Sequence, residues 1–303
     1  MFESLFTRGG LSLERLRSFV EFAEAGSITK AASGDLSRQA LISRQIRELE
    51  EFFGTELAIR RGKTLALAPA GQRLARVIRE QFQDLKDFQL DQQKQPKIFS
   101  FGAGASILEW LLLPAAAKIR RSLHHPTLQF SSQRSRDLIE HIQDGRLDFA
   151  IVREDAIPEC LPRHPLVKVR FFLCASRRLI GAQPKSRLED PTLLSSLPIA
   201  ASISGGQLDS TFRRAMTDLC GHFQPAFECD SLLQMRDLIL RGSCLGLLPS
   251  IGLHGLAEQD VISREFTPMK DYGRPLALHW NDRQMRRRGI EPAEIQQLAK
   301  ALS

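Results

Sequence analysis

Polar side chains of the types that read nucleic acid are concentrated over residues 38–47, Arg-Gln-Ala-Leu-Ile-Ser-Arg-Gln-Ile-Arg. Arginine can donate two hydrogen bonds to guanine, glutamine can pair with adenine, and serine can serve either a base or a phosphate. Apolar side chains recur at helical spacing in and just after this stretch, at Ile42, Ile46, Leu49 and Phe53. The pattern predicts a helix with one apolar face and an opposite polar face that carries Ala40, Arg44 and Arg47.

A second, shorter helix must precede this one. Ser27 is a good N-cap for a helix through Ala32, and Gly34-Asp35 then favours a tight turn. We expect Ser37 to cap the following helix, which ends near Gly54. Two helices joined in this way are the layout of a helix-turn-helix, whose second helix enters the major groove of DNA. The same pattern also fits an ordinary helical hairpin with a solvated polar face.

Three longer stretches favour the first interpretation: GSITKAA, ISRQIRELEEFFGTEL and RRGKTLALAPAG. In this order they resemble the DNA-binding domain of LysR-type transcriptional regulators. The residues that match are Gly26, Ser27, Thr29, Ala31, Ala32, Ser43, Arg44, Gln45, Ile46, Leu49, Glu50, Gly54, Leu57, Arg60, Leu67, Ala70 and Gly71. The resemblance implies a winged helix-turn-helix and a transcription regulator.

Four positions depart from the family pattern. Asp35 and Ser37 stand where the family usually has apolar residues, so we expect Leu36 to take over the packing of the turn. Ala58 replaces the usual phenylalanine of the wing. Ala68 replaces the usual capping threonine, which removes a cap worth about 1 kcal/mol.

The flanking segments complete a DNA-binding domain over residues 1–68. An amphipathic helix is predicted over Leu13–Ala25, and residues 57–67 read as a hairpin, or wing, around Gly62-Lys63. Basic side chains at the wing tip would reach phosphates or a minor groove, although a plain basic turn has the same composition. The predicted DNA-binding residues are Thr29, Arg38, Gln39, Ala40, Ser43, Arg44, Arg60, Arg61 and Lys63. We expect base contacts from Gln39, Ser43 and Arg44.

One long helix is predicted from Pro69 to about Gln93, with an apolar stripe of Leu74, Ile78, Phe82, Leu85 and Phe88. Residues 69–95 are therefore interpreted as a linker helix. Such a helix is suited to pairing two chains, and the resemblance implies the same, so we expect a homodimer or homotetramer.

After residue 95 the pattern changes to strand, helix, strand, helix, strand, which is typical of an α/β domain with parallel strands. The phrases LLLP, HHPTLQF, DGRLDFAIVRE and RGSCLGLLPS resemble the LysR-type effector domain. The resemblance implies a two-lobed, periplasmic-binding-protein-like fold over 96–303. We place lobe I at about 96–155 and 267–303 and lobe II at about 156–266, with a single strand over 167–175.

Ligands of α/β sheets bind where strands end and helices begin, because unpaired N–H groups and the helix dipole favour an anion there. Three loops fit this description, and Arg134 and Arg136 add positive charge to one of them. The predicted effector-binding residues are Gly104, Ala105, Ser106, Gln133, Ser135, Ser202 and Ser204. We expect a small, anionic effector between the lobes. The alternative is that Ser106 and Ser135 only cap helices.

Other chemistry has little support in the sequence. None of the seven histidines has a metal-ligand spacing, and the five cysteines lack a C-x-x-C pair. We therefore predict no catalytic residue, no metal and no cofactor, and reduced thiols in a cytoplasmic protein.

No apolar run reaches the roughly 18 residues of a membrane helix. The net charge of +7 suits a polyanionic partner, and the cluster Arg283, Arg286, Arg287 and Arg288 is predicted to be solvated.

Together these features predict a DNA-binding transcription regulator of LysR type that is not an enzyme. Its partners would be double-stranded DNA, a small-molecule effector and further copies of the same chain. The alternative is an α/β binding protein or enzyme whose N-terminal helices serve only for oligomerisation.

Overall fold

The computed structural model describes residues 2–7, 9–61, 64–203 and 205–302, with the backbone alone for Ser4, Arg61 and Thr64. Contacts divide the chain into two compact units. Unit 1 comprises residues 1–97, 141–146 and 286–289, and unit 2 comprises residues 98–140, 147–285 and 290–303. Within the described ranges, no helix is both long enough and apolar enough to span a bilayer.

Unit 1 contains a helical core, a β-hairpin and one long helix. Its elements are α1 (Glu3–Phe6), α2 (Leu13–Ala25), α3 (Ile28–Ala31), α4 (Leu36–Phe53), β1 (Ala58–Arg61), β2 (Thr64–Leu67) and α5 (Pro69–Gln92). The strands β1 and β2 pair antiparallel as the predicted wing. The core is formed by apolar residues of α2, α4 and α5, including Phe19, Phe22, Ile42, Ile46, Leu49 and Ile78. The helix-turn-helix and the wing are thus confirmed.

The turn before α4 differs from the prediction in two respects. The cap is Asp35, whose side chain accepts hydrogen bonds from the N–H groups of Ser37 and Arg38. Ser37 lies inside the first turn, so its predicted role as the cap is wrong. Leu36 is 79% exposed, so it does not pack the turn against the core. At the other end, α4 ends as predicted at Gly54, whose φ of 64° suits glycine.

The helix α5 begins at Pro69 without a side-chain cap, as expected from Ala68. Its first turn passes very close to the segment before the wing. A Cβ atom on Gly71 would lie 2.0 Å from the carbonyl oxygen of Leu57, so only glycine fits there. Further along, Ile78 is buried, whereas Val77, Leu85 and Phe88 remain 48%, 57% and 65% exposed.

The prediction that the arginine cluster near residue 287 is solvated is wrong for two of its members. Arg288 is buried and donates to both carboxylate oxygens of Asp87, with Nε–Oδ2 2.9 Å and Nη2–Oδ1 3.2 Å. Arg287 forms ion pairs with Glu80, at 2.5 Å, and with Asp84. These arginines bind the acidic side of α5 within unit 1 and are held there by charge pairing.

Unit 2 contains a five-stranded mixed sheet with strand order β4-β3-β5-β12-β6. Its strands are β3 (Ile98–Ala103), β4 (Thr127–Ser132), β5 (Phe149–Arg153), β6 (Arg163–Val169) and β12 (Arg274–Trp280). The strands β4 and β5 run parallel to β3, whereas β12 is antiparallel to both β5 and β6. The helices of this part are α6 (Ala105–Ile107), α7 (Leu113–Ser122), α8 (Ser135–Gln143), α13 (Asp282–Arg287) and α14 (Pro292–Leu302). A π-helical turn, Leu108–Leu112, joins α6 to α7.

The rest of unit 2 carries a three-stranded antiparallel sheet, β10-β7-β11, and a parallel pair, β8-β9. These strands are β7 (Phe171–Ser176), β8 (Ala200–Ser202), β9 (Phe227–Cys229), β10 (Leu245–Pro249) and β11 (Val261–Glu265). The helices are α9 (Arg177–Ile180), α10 (Pro191–Ser196), α11 (Gln207–Cys220) and α12 (Leu232–Leu240). A bridge between Ile199 and Leu245 links β8 to β10.

The chain passes between the two sheet systems of unit 2 at Arg170. The predicted single strand over 167–175 is wrong, because β6 pairs with β12 whereas β7 pairs with β10 and β11. One residue separates the two strands, and the chain returns to the five-stranded sheet between β11 and β12. Two sheet systems joined by two crossings agree with the predicted two-lobed architecture.

Candidate nucleic-acid interface and effector cavity

The outer face of α4 is free of core contacts in unit 1. Arg38, Ala40, Arg44 and Arg47 are exposed, and Gln39 and Ser43 are half-buried. On the opposite face Ile42, Ile46 and Leu49 are almost fully buried. The polar residues that were predicted to contact bases therefore share one accessible helix surface.

Two carboxylates pair with two of the three arginines of this surface. Arg38 Nη2 lies 2.9 Å from Glu21 Oε2, and Glu21 Oε1 accepts from Arg17 Nε at 2.9 Å. Burial alone would raise the pKa of Glu21, but hydrogen bonds from Arg38 and Arg17 outweigh it and lower that pKa. Arg44 lies 3.6 Å from Glu48, which also accepts from Arg15. Two of the arginines on this surface, Arg38 and Arg44, are therefore paired with carboxylates.

The remaining predicted DNA-binding residues lie on α3 and the wing. Thr29 is exposed on α3, and Arg60 is exposed on β1. Arg61 closes β1, but its side chain lies outside the described residues, as does Lys63 altogether. The described part of the wing therefore contributes one placed arginine to the candidate interface.

A cavity of about 600 Å³ opens in unit 2 at the carboxyl ends of β3, β4 and β5. It is lined by Gly104, Ala105, Ser106, Ile107, Ser132, Gln133, Arg134, Ser135, Arg153, Val169, Phe171, Leu232, Pro249, Ile251, Arg274 and Leu276. Five of the seven predicted effector residues are in this lining. Ser202 is not, since it lies at the end of β8, and Ser204 falls outside the described residues.

The charge of this cavity comes from Arg134, Arg153 and Arg274, and the described lining contains no carboxylate. Arg153 Nε lies 3.1 Å from Asp155, and Arg274 Nη2 donates to the Tyr272 hydroxyl at 2.6 Å. The Oε1 atom of Gln133 is buried without a hydrogen-bond partner among the described residues. A buried polar atom without a partner is costly, so a ligand or water that satisfies it is favoured there.

Arg153 and Arg274 were not predicted. Arg153 ends β5, so the rule that selected the other loops applies to it as well. Arg274 begins an antiparallel strand, and only the sheet order brings it to the cavity. Ser106 is not an N-cap, because it lies inside α6, whose N-cap is Gly104. Ser135 is the first residue of α8. The alternative of simple helix capping is therefore wrong for Ser106.

The five cysteines do not form an exposed cluster. All five cysteines are free thiols, and Cys174, Cys229 and Cys244 are buried. Burial raises the pKa of Cys174 and of Cys244 to about 12, so both thiols are protonated at neutral pH. Protonated thiols are poor nucleophiles and poor metal ligands. Across the described residues, no group of three or more histidine, cysteine or acidic side chains is arranged to hold a metal.

Comparison with known proteins gives matches in both parts of the chain. Residues 13–72 match the family described as "Bacterial regulatory helix-turn-helix protein, lysR family", and residues 92–293 match "LysR substrate binding domain". The HTH-type transcriptional activator AmpR of Rhodobacter capsulatus is 25% identical over 276 residues, which cover 88% of this chain and 90% of AmpR. The HTH-type transcriptional regulator TdcA of Escherichia coli K12 is 28% identical over 244 residues, covering 78% and 76% of the two chains.

Among solved structures, a full-length OxyR variant from Pseudomonas aeruginosa superposes with a TM-score of 0.62 at 18% identity. The superposition covers 96% of this chain and 94% of OxyR. At this level of identity the likeness concerns the fold.

Proposed function

This chain belongs to the LysR family of transcriptional regulators, with a helix-turn-helix domain and a substrate-binding domain, and we propose that a small anion controls its binding to DNA. The proposal has three parts: the polar face of α4 reads the major groove, the cavity of unit 2 holds the anion, and α5 pairs two chains. The observation that carries the proposal is the accessibility of the polar face of α4, which a duplex can reach.

Residues on this face suit direct readout. Gln39, Ser43 and Arg44 are the proposed base contacts, with Arg38 and Ala40 beside them, since the N-terminal part of a recognition helix meets base edges. Thr29 and the basic residues of the wing, Arg60, Arg61 and Lys63, are the proposed phosphate contacts. Phosphate contacts fix the register, whereas base contacts specify the sequence.

DNA binding is tested with a duplex that the wild-type chain selects from a randomised library, beside a scrambled duplex. Fluorescence anisotropy at about 50 and about 200 mM salt should give binding that weakens steeply with salt, because bound arginines release counterions. Arg44→Ala should cost about 1–3 kcal/mol on the selected duplex only. Arg241→Ala, an exposed arginine of unit 2 that pairs with Asp237, is the matched control and should bind like the wild type. Absence of salt-dependent binding by the wild type would refute the DNA-binding role.

The anionic character of the effector is supported by the composition of the cavity. Three arginines face it, the described lining holds no carboxylate, and Ser106, Ser132 and Ser135 add hydroxyl groups. Apolar residues such as Val169, Phe171 and Leu232 complete the lining, which suits an organic acid with a hydrocarbon portion. Its carboxylate would meet the arginines with paired, charge-assisted hydrogen bonds.

The effector is tested by calorimetric titration of the full chain with a panel of mono- and dicarboxylic acids. Arg153→Gln should weaken binding of any acid that gives heat by about 1.5–3 kcal/mol, the range for hydrogen bonds to charged groups. Arg136→Gln is the matched control, because Arg136 is exposed and does not line the cavity. If the wild type gave no heat with any acid, or if both variants weakened binding equally, the anion proposal would be wrong.

Pairing of two chains through α5 is supported by the exposed stripe of Val77, Leu85 and Phe88. These residues recur on one side of the helix, and a second copy of α5 would cover them. We propose a homodimer or homotetramer built on this contact, with residues 1–68 for DNA, 69–95 for pairing and 96–303 for the effector. We further propose a cytoplasmic location and no enzymatic activity, in keeping with a regulator that binds DNA.

A further inference from the structure

Building on the proposed DNA-binding role, we propose that Glu21 is a specificity-determining positioning residue. Glu21 holds the guanidinium of Arg38, so that Arg38 contacts base edges and does not contact phosphates. In this view Arg38 contributes to the choice of sequence and adds little to general affinity for DNA.

Arg38 is anchored at both ends. It is the third residue of α4, and its backbone N–H donates to Asp35 Oδ1 at 3.2 Å. Its Nη2 donates to Glu21 Oε2 at 2.9 Å, across to α2. The other oxygen of Glu21 accepts from Arg17 Nε at 2.9 Å, so the carboxylate is itself fixed between two guanidinium groups. Arg38 nevertheless remains 46% exposed, which leaves the group accessible to a duplex.

At a DNA surface an arginine can donate hydrogen bonds to base edges, and its charge can attract phosphates. The pairing with Glu21 keeps the first property of Arg38 and weakens the second. A guanidinium has five N–H donors, and the bond to Glu21 leaves most of them for guanine O6 and N7. The carboxylate lowers the net charge of its cluster with Arg17 and Arg38 from about +2 to about +1, and it repels phosphates. An arginine that is paired in this way therefore releases few counterions when DNA binds, and its contribution to salt dependence is small.

Arg47, on the same helix, provides an internal contrast. Within the described residues it forms no ion pair, and its Nε donates only to the carbonyl oxygen of Ser43, at 3.4 Å. Its charge is therefore free to attract phosphate, and we expect it to strengthen binding to any sequence. The two arginines should differ in how their loss affects salt dependence.

The test measures affinity for the library-selected duplex and for a scrambled duplex across a range of salt concentrations. Glu21→Gln should tighten binding to the scrambled duplex, steepen the slope of log K against log salt by about 0.9, and lower the selected-to-scrambled ratio by about tenfold. Glu14→Gln removes the same charge from an exposed position on α2 and should leave the ratio unchanged. Melting curves show whether each variant is folded.

A second pair of variants does not depend on the stability of Glu21→Gln. Arg38→Ala should lower affinity for the selected duplex by about 10- to 100-fold and leave the salt slope unchanged, whereas Arg47→Ala should flatten the slope by about 0.9. In the double variant Glu21→Gln with Arg38→Ala, the slope should equal that of Arg38→Ala alone. A steeper slope in the double variant would assign the effect to Arg17.

The outcomes separate this inference from the proposed function. If the wild type shows no salt-dependent binding to DNA, the proposed function fails and the role of Glu21 fails with it. If the wild type discriminates between the duplexes but Glu21→Gln keeps the wild-type ratio and slope, only the role of Glu21 is overturned. A flatter slope in Arg38→Ala would also overturn it, because Arg38 would then contact phosphate.

Discussion

The buried ion pair between Arg288 and Asp87 allows a quantitative prediction about α5. The perturbation is Arg288→Met, which keeps a long side chain and removes the charge. The side chains of Arg288 and Asp87 are 2% and 8% exposed, so water cannot replace the lost partner. After the substitution, Asp87 would keep the hydrogen bond from Gln83 Nε2 at 2.7 Å.

The expected magnitude follows from this geometry. Removing one member of a buried ion pair costs about 3–5 kcal/mol, because the remaining charge is left without compensation. Replacing both members by apolar residues is much less harmful, because the desolvation penalty of both charges disappears as well. We therefore expect Arg288→Met to be strongly destabilising and Arg288→Met with Asp87→Leu to recover most of the loss.

Hydrogen exchange followed by mass spectrometry is the suitable assay, because both tryptophans, Trp110 and Trp280, lie in unit 2 and would not report on α5. A loss of 3–5 kcal/mol corresponds to opening of α5 that is more frequent by a factor of about 100 to several thousand. Peptides from α11 in unit 2 serve as the internal reference. Arg286→Met is the matched control, since Arg286 is an exposed residue of α13, two positions before Arg288.

Two results would refute the reasoning. Exchange in α5 that changes less than about fivefold in Arg288→Met would mean that the pair contributes little, as for an exposed ion pair. A double variant as unstable as the single one would mean that the loss comes from packing or from other bonds of Arg288, and not from the uncompensated carboxylate of Asp87.

Two further predictions concern a helix cap and a buried histidine. Asp35→Ala should lower the stability of α4 by about 1 kcal/mol in hydrogen exchange, whereas Ser37→Ala should be close to neutral; the reverse order would contradict the assignment of the cap. His279 is buried, and that burial lowers its pKa although Nδ1 donates to the Pro162 carbonyl oxygen at 2.7 Å, so its folded-state pKa lies below the usual value of about 6.5. Because protonation then favours the unfolded chain, stability should be lost as the pH falls below about 6.5. In His279→Asn this part of the pH dependence of urea unfolding should disappear, and an unchanged profile would mean that other groups cause it.

Elements with a strong local pattern could be predicted from the sequence. The helices α2, α4 and α5 have long apolar stripes and clear ends, so their bounds agree with the structure within a residue or two. The error at the start of α4 arose because Asp35 and Ser37 are both good capping residues. Only the geometry of the turn decides which side chain reaches the free N–H groups.

Features that depend on distant parts of the chain could not be predicted. Arg287 and Arg288 look like a solvated cluster because their acidic partners lie about 200 residues earlier, a separation at which sequence patterns carry no information. The strands β6 and β7 look like one strand because only Arg170 separates them. Their assignment to different sheets depends on partners that are also distant in the sequence.

The residues of the two candidate sites also differ in whether local sequence patterns could predict them. Five cavity residues follow from the rule that ligands bind at the carboxyl ends of parallel strands. Arg274 reaches the cavity from an antiparallel strand, which requires knowledge of the sheet order. On α4, helical periodicity was sufficient to place the polar residues on one surface, but the pairing of Arg38 with Glu21 needed the packing of α2.

The crossing at Arg170 limits the ways in which the cavity of unit 2 can change shape. A connection of one residue spans only about 3.5 Å and cannot lengthen, so β6 and β7 cannot slide apart at this point. Arg170 also pairs with Glu265 at 3.4 Å. Glu265 is the last residue of β11, and from it the chain crosses back to the five-stranded sheet at β12. The pair is exposed, so it brings the start of the second crossing beside the first without fixing it there. We therefore expect movement between the two sheet systems to change the angle at Arg170 more than the distance between β6 and β7.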